Sequence, residues 1–548
     1  MDQWPHKKIY LTIFIVLLIT VLFSHLSTVE LRGEEPRRAI VSMEMAITGD
    51  YIVPKINGCN YYNKPPLFNW VLVLFFKIFG SYENWVVRIP SLICFLLCGL
   101  ASYIFANKYL NRETALLSTM FFLTSGEILF YATLFSGEID LFFTLLVCLQ
   151  IMGMYHFFRQ KQWLWMFLIS YGLSAAGFLT KGLPAVLFQG VTLAIITIYY
   201  RKWRMLFSWQ HLLGIFTFCM VTVSYFFVYA QREDVTPFLI NLFAEASQKT
   251  GMNSSPIKLI TSALLYPFEV LKWTLPWSVF SIYFFSRKTI HSIRQKEVLA
   301  FLALFVLANL PVYWLTDNPK SRYIFMFFPF MMMLFTHAYL SRKKDWPIIT
   351  RTVMILFGIV VVVVPAIALI LPWLTQTVSL DHSIRTSALV FIPSALLAWL
   401  YFKSKTNRLC YFILSLLMVR LMINLYILPS IQENSVALVN LGHLQTILEI
   451  TGEEPLFISG EPFTQENDLA IGRIQMVSSE ISTAPIISYF LPYYYTKLTH
   501  RVLTYEPDME AGKLYLVYTK DIQEEVVDFF YRYEEPSTKD EIALARMR

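Results

Sequence analysis

Charge is what this sequence has least of. Only 15% of its 548 residues are Asp, Glu, Lys or Arg, where soluble domains carry about 25%. Cysteine is scarce too: there are six, no two form a CxxC pair, and five of them lie in apolar runs. That excludes a disulfide scaffold and gives no zinc-site spacing. There is no low-complexity tract and no repeat at solenoid period, which excludes disordered, collagenous and repeat architectures. What is abundant is apolar surface, with 56% hydrophobic and 16% aromatic residues. The apolar residues come in runs of about twenty, enough for a helix to cross a hydrocarbon core of ~30 Å.

The few charges are unevenly placed. From Ser430 to Arg548 there are 19 acidic and 9 basic residues, whereas the first 429 residues carry 36 basic and 19 acidic. A basic membrane part, residues 1–429, is therefore expected to precede an acidic soluble domain, residues 430–548. The basic residues sit in short clusters between apolar runs, which argues against nucleic acid as a partner. Thirteen spans are expected: one from the N-terminus to about Ser27, the others beginning near Arg88, Thr114, Phe135, Trp163, Pro184, Trp209, Pro267, Val298, Arg322, Arg351, Ser387 and Leu409. Lys7 and Lys8, Lys108 and Arg112, Arg159 and Lys161, the 201–204 cluster, the 287–296 cluster, Arg342 to Lys344 and Lys403 to Arg408 fall in alternate loops. By the positive-inside rule that face is cytoplasmic, which places the N-terminus inside and the tail outside. In the tail, 456–459 and 514–518 read as strands and 522–533 as a helix, giving a small α/β domain.

Two outer connections are long, about residues 28–87 and 231–266, and loops of such length are usually functional. In the first, Ala39, Ile40, Met43 and Ile47 recur at helical spacing, and Gly49-Asp50 reads as the stop. A helix lying on the membrane with its apolar face down is expected. Glu34, Glu35, Glu127, Glu138, Asp140, Glu245 and Glu269, with Lys64, Lys181, Lys249, Lys320 and Arg322, all fall at outer helix ends or in outer loops. Deep in the spans only Arg420, Asn309 and Gln189 stand out. A transporter gathers polar groups near the midplane. A polar set at one face instead favours an enzyme acting on a lipid-linked substrate, with a lipid or solute transporter and a catalytically decayed scaffold as the alternatives.

The sharpest segment runs from Leu31 to Trp70. It contains Glu34-Glu35-Pro36-Arg37, Gly49-Asp50-Tyr51, Val53-Pro54 and Tyr61-Tyr62-Asn63-Lys64-Pro65-Pro66. Asp140 opening a span, Phe178 to Gly182 closing another, and Arg322-Tyr323 with Pro329 complete the pattern. With these motifs the chain resembles the bacterial aminoarabinose transferases and the protein O-mannosyltransferases, membrane glycosyltransferases of the C-type fold. The resemblance covers most of residues 5–430.

It implies an inner-membrane enzyme that moves a sugar, with inversion, from a polyprenyl-phosphate donor. The acceptor would be a lipid A-like glycolipid, a glycan or a protein hydroxyl. Glu34 matches the family's catalytic acid, usually Asp, with Glu35 as the alternative if the register is one residue off. Asp140 matches a second acidic position that orients the acceptor or the pair Arg37 and Arg38. Lys64 is expected to hold the donor phosphate, with Tyr61, Tyr323, Arg322 and Lys181 beside it. Lys249 stands where relatives carry Arg, and Glu245 joins the orienting groups. Relatives can hold a metal at two positions that here are Asn63 and Ala244. Neither suits a transition metal, and none of the nine His residues falls in the long outer loops. No zinc is expected at that place and no cofactor is called for, while a divalent metal stays open.

Overall fold

The computed structural model of the chain describes residues 7–249, 256–314, 319–375, 380–433, 435–460, 489–522, 525–536 and 539–548. In chain order the elements are α1 (Lys7–Phe23), α2 (Glu35–Thr48), β1 (Lys55–Ile56), β2 (Cys59–Asn60), α3 (Leu67–Phe79), α4 (Asn84–Tyr109) and α5 (Arg112–Leu123). There follow α6 (Asp140–Arg159), α7 (Trp163–Lys181), α8 (Pro184–Tyr199), α9 (Trp209–Ala230), α10 (Thr236–Lys249), α11 (Pro256–Trp273), α12 (Arg287–Gln295) and α13 (Glu297–Asn309). The remaining helices of the membrane part are α14 (Phe328–Arg342), α15 (Pro347–Thr375), α16 (Leu380–Lys403) and α17 (Arg408–Met422). The chain closes with α18 (Leu428–Glu433), α19 (Val436–Thr451), β3 (Leu456–Ser459), α20 (Phe490–Thr499), β4 (Thr504–Glu506), β5 (Leu514–Tyr518), β6 (Val527–Glu534) and β7 (Glu541–Met547). The residues group into two compact units: 1–29, 88–224 and 243–430 in the first; 30–87, 225–242 and 431–548 in the second.

The first unit makes the chain a multi-pass membrane protein. Among the described residues six helices are long and apolar enough to span, α4, α6, α7, α9, α15 and the run Arg408–Glu433, and a seventh arises if the bent pair α12 and α13 counts as one. Four further apolar helices are shorter. One of the expected spans is interrupted, for local reasons. The one near Thr114 stops at Leu123, where Thr124 Oγ1 turns back to donate to Met120 O at 2.6 Å. Gly126 N then donates to Leu275 O at 2.8 Å, and a Cβ at residue 126 would lie 2.9 Å from that carbonyl. A π-helical turn follows at Ile128–Ala132. Leu129 O of this turn accepts from Thr133 Oγ1 at 2.9 Å and from the Arg420 guanidinium at 2.6 Å, and Arg420 also donates to Thr133 O at 3.4 Å. This buried arginine thus serves the backbone. The span expected from near Val298 is α13, and the basic stretch before it forms a separate helix, α12, set at 107° to it. Arg322 and Tyr323 occupy a 3₁₀ turn ahead of α14 rather than its first turn.

In the second unit α2 ends where expected, at Gly49. Pro36 occupies the first turn, where its missing N–H costs nothing, and Gly49 caps the end with φ of 76°. Its apolar face does not lie on lipid, however. Ala39, Ile40, Val41, Met43 and Met45 are buried, and α2 packs on α3 and α20. Asn69 of α3 clamps it by donating to Ser42 Oγ at 2.9 Å and Arg38 O at 3.3 Å. Helical spacing reports an apolar face but not what covers it. The hairpin β1–β2 turns on Asn57 and Gly58, with φ of 54° and 82°, as a two-residue Asn-Gly loop prefers. Asn57 O accepts from Tyr505 N at 3.1 Å.

The tail forms a five-stranded sheet in the order β4-β3-β5-β7-β6, parallel at β3–β4 and β3–β5, antiparallel at β5–β7 and β6–β7. Leu444 and Ile447 of α19 and Leu491 and Tyr495 of α20 pack on Leu456, Ile458, Leu516 and Leu544. The small α/β domain therefore stands, but the helix expected over 522–533 does not. Most of that stretch is strand β6, whose side chains alternate from buried Val527 to exposed Asp528 and onward to buried Tyr533. Pairing with β7 overrides the local pattern.

Candidate functional site

The residues singled out by sequence fall into two clusters, one within each unit. In the second unit, α2 presents Glu34 at its N-cap position. The Glu34 carboxylate lies 3.2 Å from Arg37 and 3.9 Å from Arg38, the geometry that i,i+3 and i,i+4 spacing allows. The Arg38 guanidinium is 3% exposed and lies over the Tyr61 ring at 5.6 Å. Arg37 lies over the Tyr489 ring at 5.2 Å. Glu34 keeps 29% of its side chain accessible. Glu35 is fully buried, and its Oε2 accepts from Arg32 N at 2.9 Å. The adjacent acids thus differ: one faces out between two cations, the other ties down the loop before the helix. Lys64 is buried, with 8% exposure, in the turn that leads into α3.

Asn63 is drawn toward α10. Asn241 Nδ2 donates to Tyr62 O at 3.1 Å and approaches Asn63 Oδ1 at 3.5 Å. An amide oxygen facing an amide, with alanine at the second position, does not fit a transition-metal ion. The Asp50 of the Gly-Asp-Tyr motif is also structural: its Oδ1 accepts from Ile52 N and Val53 N and pairs with Arg232 at 2.8 Å. The side chains of Glu245 and Lys249 lie outside the described residues.

Sequence reasoning passed over Glu44. It is 3% exposed and accepts from Gly58 N at 3.1 Å. Burial pushes its carboxyl up to about 7, against the lowering effects of Gly58, Lys55 and Asn57. A rise of that size corresponds to roughly 3 kcal/mol. The folded state holds this proton more tightly than the unfolded chain does, so stability falls as pH rises from the ordinary carboxylate range to about 7. Thermal unfolding in detergent is expected to give a lower midpoint at pH 8 than at pH 5. In Glu44→Gln that slope should flatten; parallel profiles would show that Glu44 does not carry it.

In the first unit, Asp140 opens α6 and Lys181 closes α7. Their side chains meet at 2.5 Å, with 7% and 5% exposure. The Lys181 ammonium also lies 5.1 Å from the Phe143 ring and 5.5 Å from the Tyr323 ring. Arg322 binds Glu138 at 2.9 Å, and Tyr323 stacks on Tyr313 at 5.6 Å. Burial, then the neighbouring Asp140, push the Glu138 carboxyl above its ordinary value. Ser91 Oγ donates to Glu138 O at 2.9 Å, and Arg88 anchors the end of the first span through Leu26 O and Val29 O. Asp140, Lys181, Arg322 and Tyr323 are thus brought together, and Glu138 completes the set.

With both clusters in view, the relatives bear on the site. The family described as dolichyl-phosphate-mannose-protein mannosyltransferase matches residues 63–228, a stretch that includes Lys64, Asp140 and Lys181. The undecaprenyl phosphate-α-4-amino-4-deoxy-L-arabinose arabinosyl transferase of Pseudomonas aeruginosa is 28% identical over 331 residues, 57% of this chain and 56% of that protein. A second such transferase, from Proteus mirabilis, is 34% identical over 117 residues, 21% of each chain. Among solved structures, ArnT from Cupriavidus metallidurans bound to undecaprenyl phosphate superposes with a TM-score of 0.68 at 16% identity, covering 98% of both chains. The chain resembles the aminoarabinose transferases and shares their fold. In sequence it spans only about half the length of the Pseudomonas relative, while the structural match runs almost end to end.

Proposed function

We propose that the protein is an integral-membrane glycosyltransferase of the bacterial inner membrane. It takes a sugar from a polyprenyl-phosphate donor at the outer face and passes it to a glycolipid, glycan or protein acceptor. The observation that carries this reading is the Glu34–Arg37–Arg38 cluster on a helix that also packs beside the Tyr61-to-Pro66 turn with its buried Lys64, in a chain with the transferase fold. The alternation of basic loops favours thirteen crossings, with the N-terminus inside and the C-terminal domain outside.

The chemistry follows from the groups. An acceptor hydroxyl attacks the anomeric carbon on the side opposite the phosphate, so the configuration inverts. Glu34 accepts the hydroxyl proton as general base, held between Arg37 and Arg38. The C–O bond to phosphate breaks, and Lys64 meets the negative charge that develops on the leaving group, with Tyr61 beside it. In the membrane unit, Asp140 with Lys181 and Glu138 with Arg322 fix the outer helix ends and act as positioning residues.

The test is transfer by the purified protein, given a labelled polyprenyl-phosphate sugar and envelope extract. Labelled product supports the enzyme. No product, together with uptake of the labelled compound into vesicles, overturns it in favour of transport. Lys64→Ala is expected to raise the donor KM about ten- to hundredfold, since losing a hydrogen bond to a charged group costs about 1.5–3 kcal/mol. Titrating initial rate against donor concentration checks it.

A further inference from the structure

A cavity of about 690 Å³ opens where the start of α5, the end of α14 and the starts of α15 and α17 meet. Five of the residues lining it are cationic, Lys343, Lys344, Arg351, Lys405 and Arg408, against a single acid, Glu113. Its deeper wall is apolar, with Leu116, Met354 and Leu409.

The acid is already engaged, at 3.7 Å from Lys343, and Arg408 donates to Ser404 O at 3.2 Å. Lys344, Arg351 and Lys405 have no hydrogen-bonded or ion-paired partner among the described residues. Cations of one sign around one cavity repel each other, and an anion relieves that repulsion. Helices α15 and α17 both begin at the rim, so the positive ends of two dipoles add to the field. The surface beside the cavity is suited to acyl chains: Ile348, Ile355 and Ile359 of α15 are exposed and apolar, as are Trp399 and Phe402 of α16.

We propose that this cavity binds the phosphate headgroup of an anionic glycerophospholipid, with the acyl chains lying along α15. The ligand chemistry is a phosphate ester joined to an apolar tail. The cations hold the first part and the exposed isoleucines the second. Basic pockets between membrane helices bind acidic headgroups in this way. The inference does not depend on the transfer reaction, because none of these residues belongs to either cluster described above.

Native mass spectrometry of the detergent-solubilised protein tests it, with phosphatidylglycerol, phosphatidylcholine and inorganic phosphate as probes. Wild-type protein is expected to retain phosphatidylglycerol over phosphatidylcholine. The triple variant Lys344→Ala, Arg351→Ala, Lys405→Ala is expected to retain it at least tenfold less, with an unchanged thermal midpoint in neutral detergent. A control variant, Arg201→Ala with Lys202→Ala, removes two exposed cations that do not line the cavity and should bind like wild type. Equal retention by the triple variant overturns the proposal. So does an equal loss in the control, which would mean diffuse attraction to a basic face. Displacement of the lipid by inorganic phosphate at comparable concentration would make the ligand a free phosphate and also overturn it. If the triple variant's midpoint falls, Lys405→Ala alone, at an exposed loop position, is read against the same control, and wild-type retention there overturns the proposal.

Discussion

Asp140→Asn is expected to cost the protein about 3–5 kcal/mol, the usual penalty for removing one partner of a buried ion pair. The reason lies in the geometry: Lys181 sits 2.5 Å from Asp140 with both side chains under a tenth exposed. Without the carboxylate the ammonium loses its counter-charge, and ring contacts such as those to Phe143 and Tyr323 interact far more weakly with a cation than a charge does. Lys181→Met should cost a similar amount, for the converse reason. The double variant Asp140→Asn with Lys181→Met should recover much of the loss, because no unpaired charge is then buried. Chemical denaturation in detergent of all four proteins measures the coupling. Additive losses would mean that the pair does not act as a unit.

Glu34→Gln is expected to lower kcat by about 10²–10⁴, the usual contribution of a general base, with little change in donor KM. Glu35→Gln should behave differently, since Glu35 is buried and holds Arg32 N. Its loss should appear as a lower unfolding midpoint, with kcat per folded molecule nearly intact. Rates with a hydroxyl acceptor, measured with matched thermal scans, separate the two. A near-normal kcat in Glu34→Gln would indicate an acceptor that is already ionised, such as a phosphate, for which no base is needed.

These two neighbours illustrate what the sequence carries and what it leaves open. Gly49 marks the end of α2 by local chemistry alone, and the structure keeps that limit. Which acid faces outward is set by Arg37, Arg38 and Tyr489, the last more than 400 residues away. Asp140 and Lys181 were each singled out, but their pairing across 41 residues is a property of how α6 and α7 pack. Glu138 and Arg322 are 184 residues apart. The break at Gly126 escapes hydropathy, which averages over a window and does not register one backbone contact. Strand β6 was misread because its apolar residues also fit a helix. Only β7, a distant partner in the sheet, decides between the two periods.

The second unit has a consequence for how the chain is made. Residues 30–87 leave the ribosome early, but the groups they bond to come last: Tyr505 for Asn57, Tyr493 for Asn84 and Lys497 for Glu83. About 340 residues separate the two stretches. At ~5–20 residues per second that is roughly 20–70 s of synthesis. Through that interval residues 30–87 exist without their C-terminal partners. The Glu34 cluster, whose Arg37 rests on Tyr489, is therefore completed only at the end of translation, so a chain cut short in the tail carries residues 30–87 without the partners that finish them.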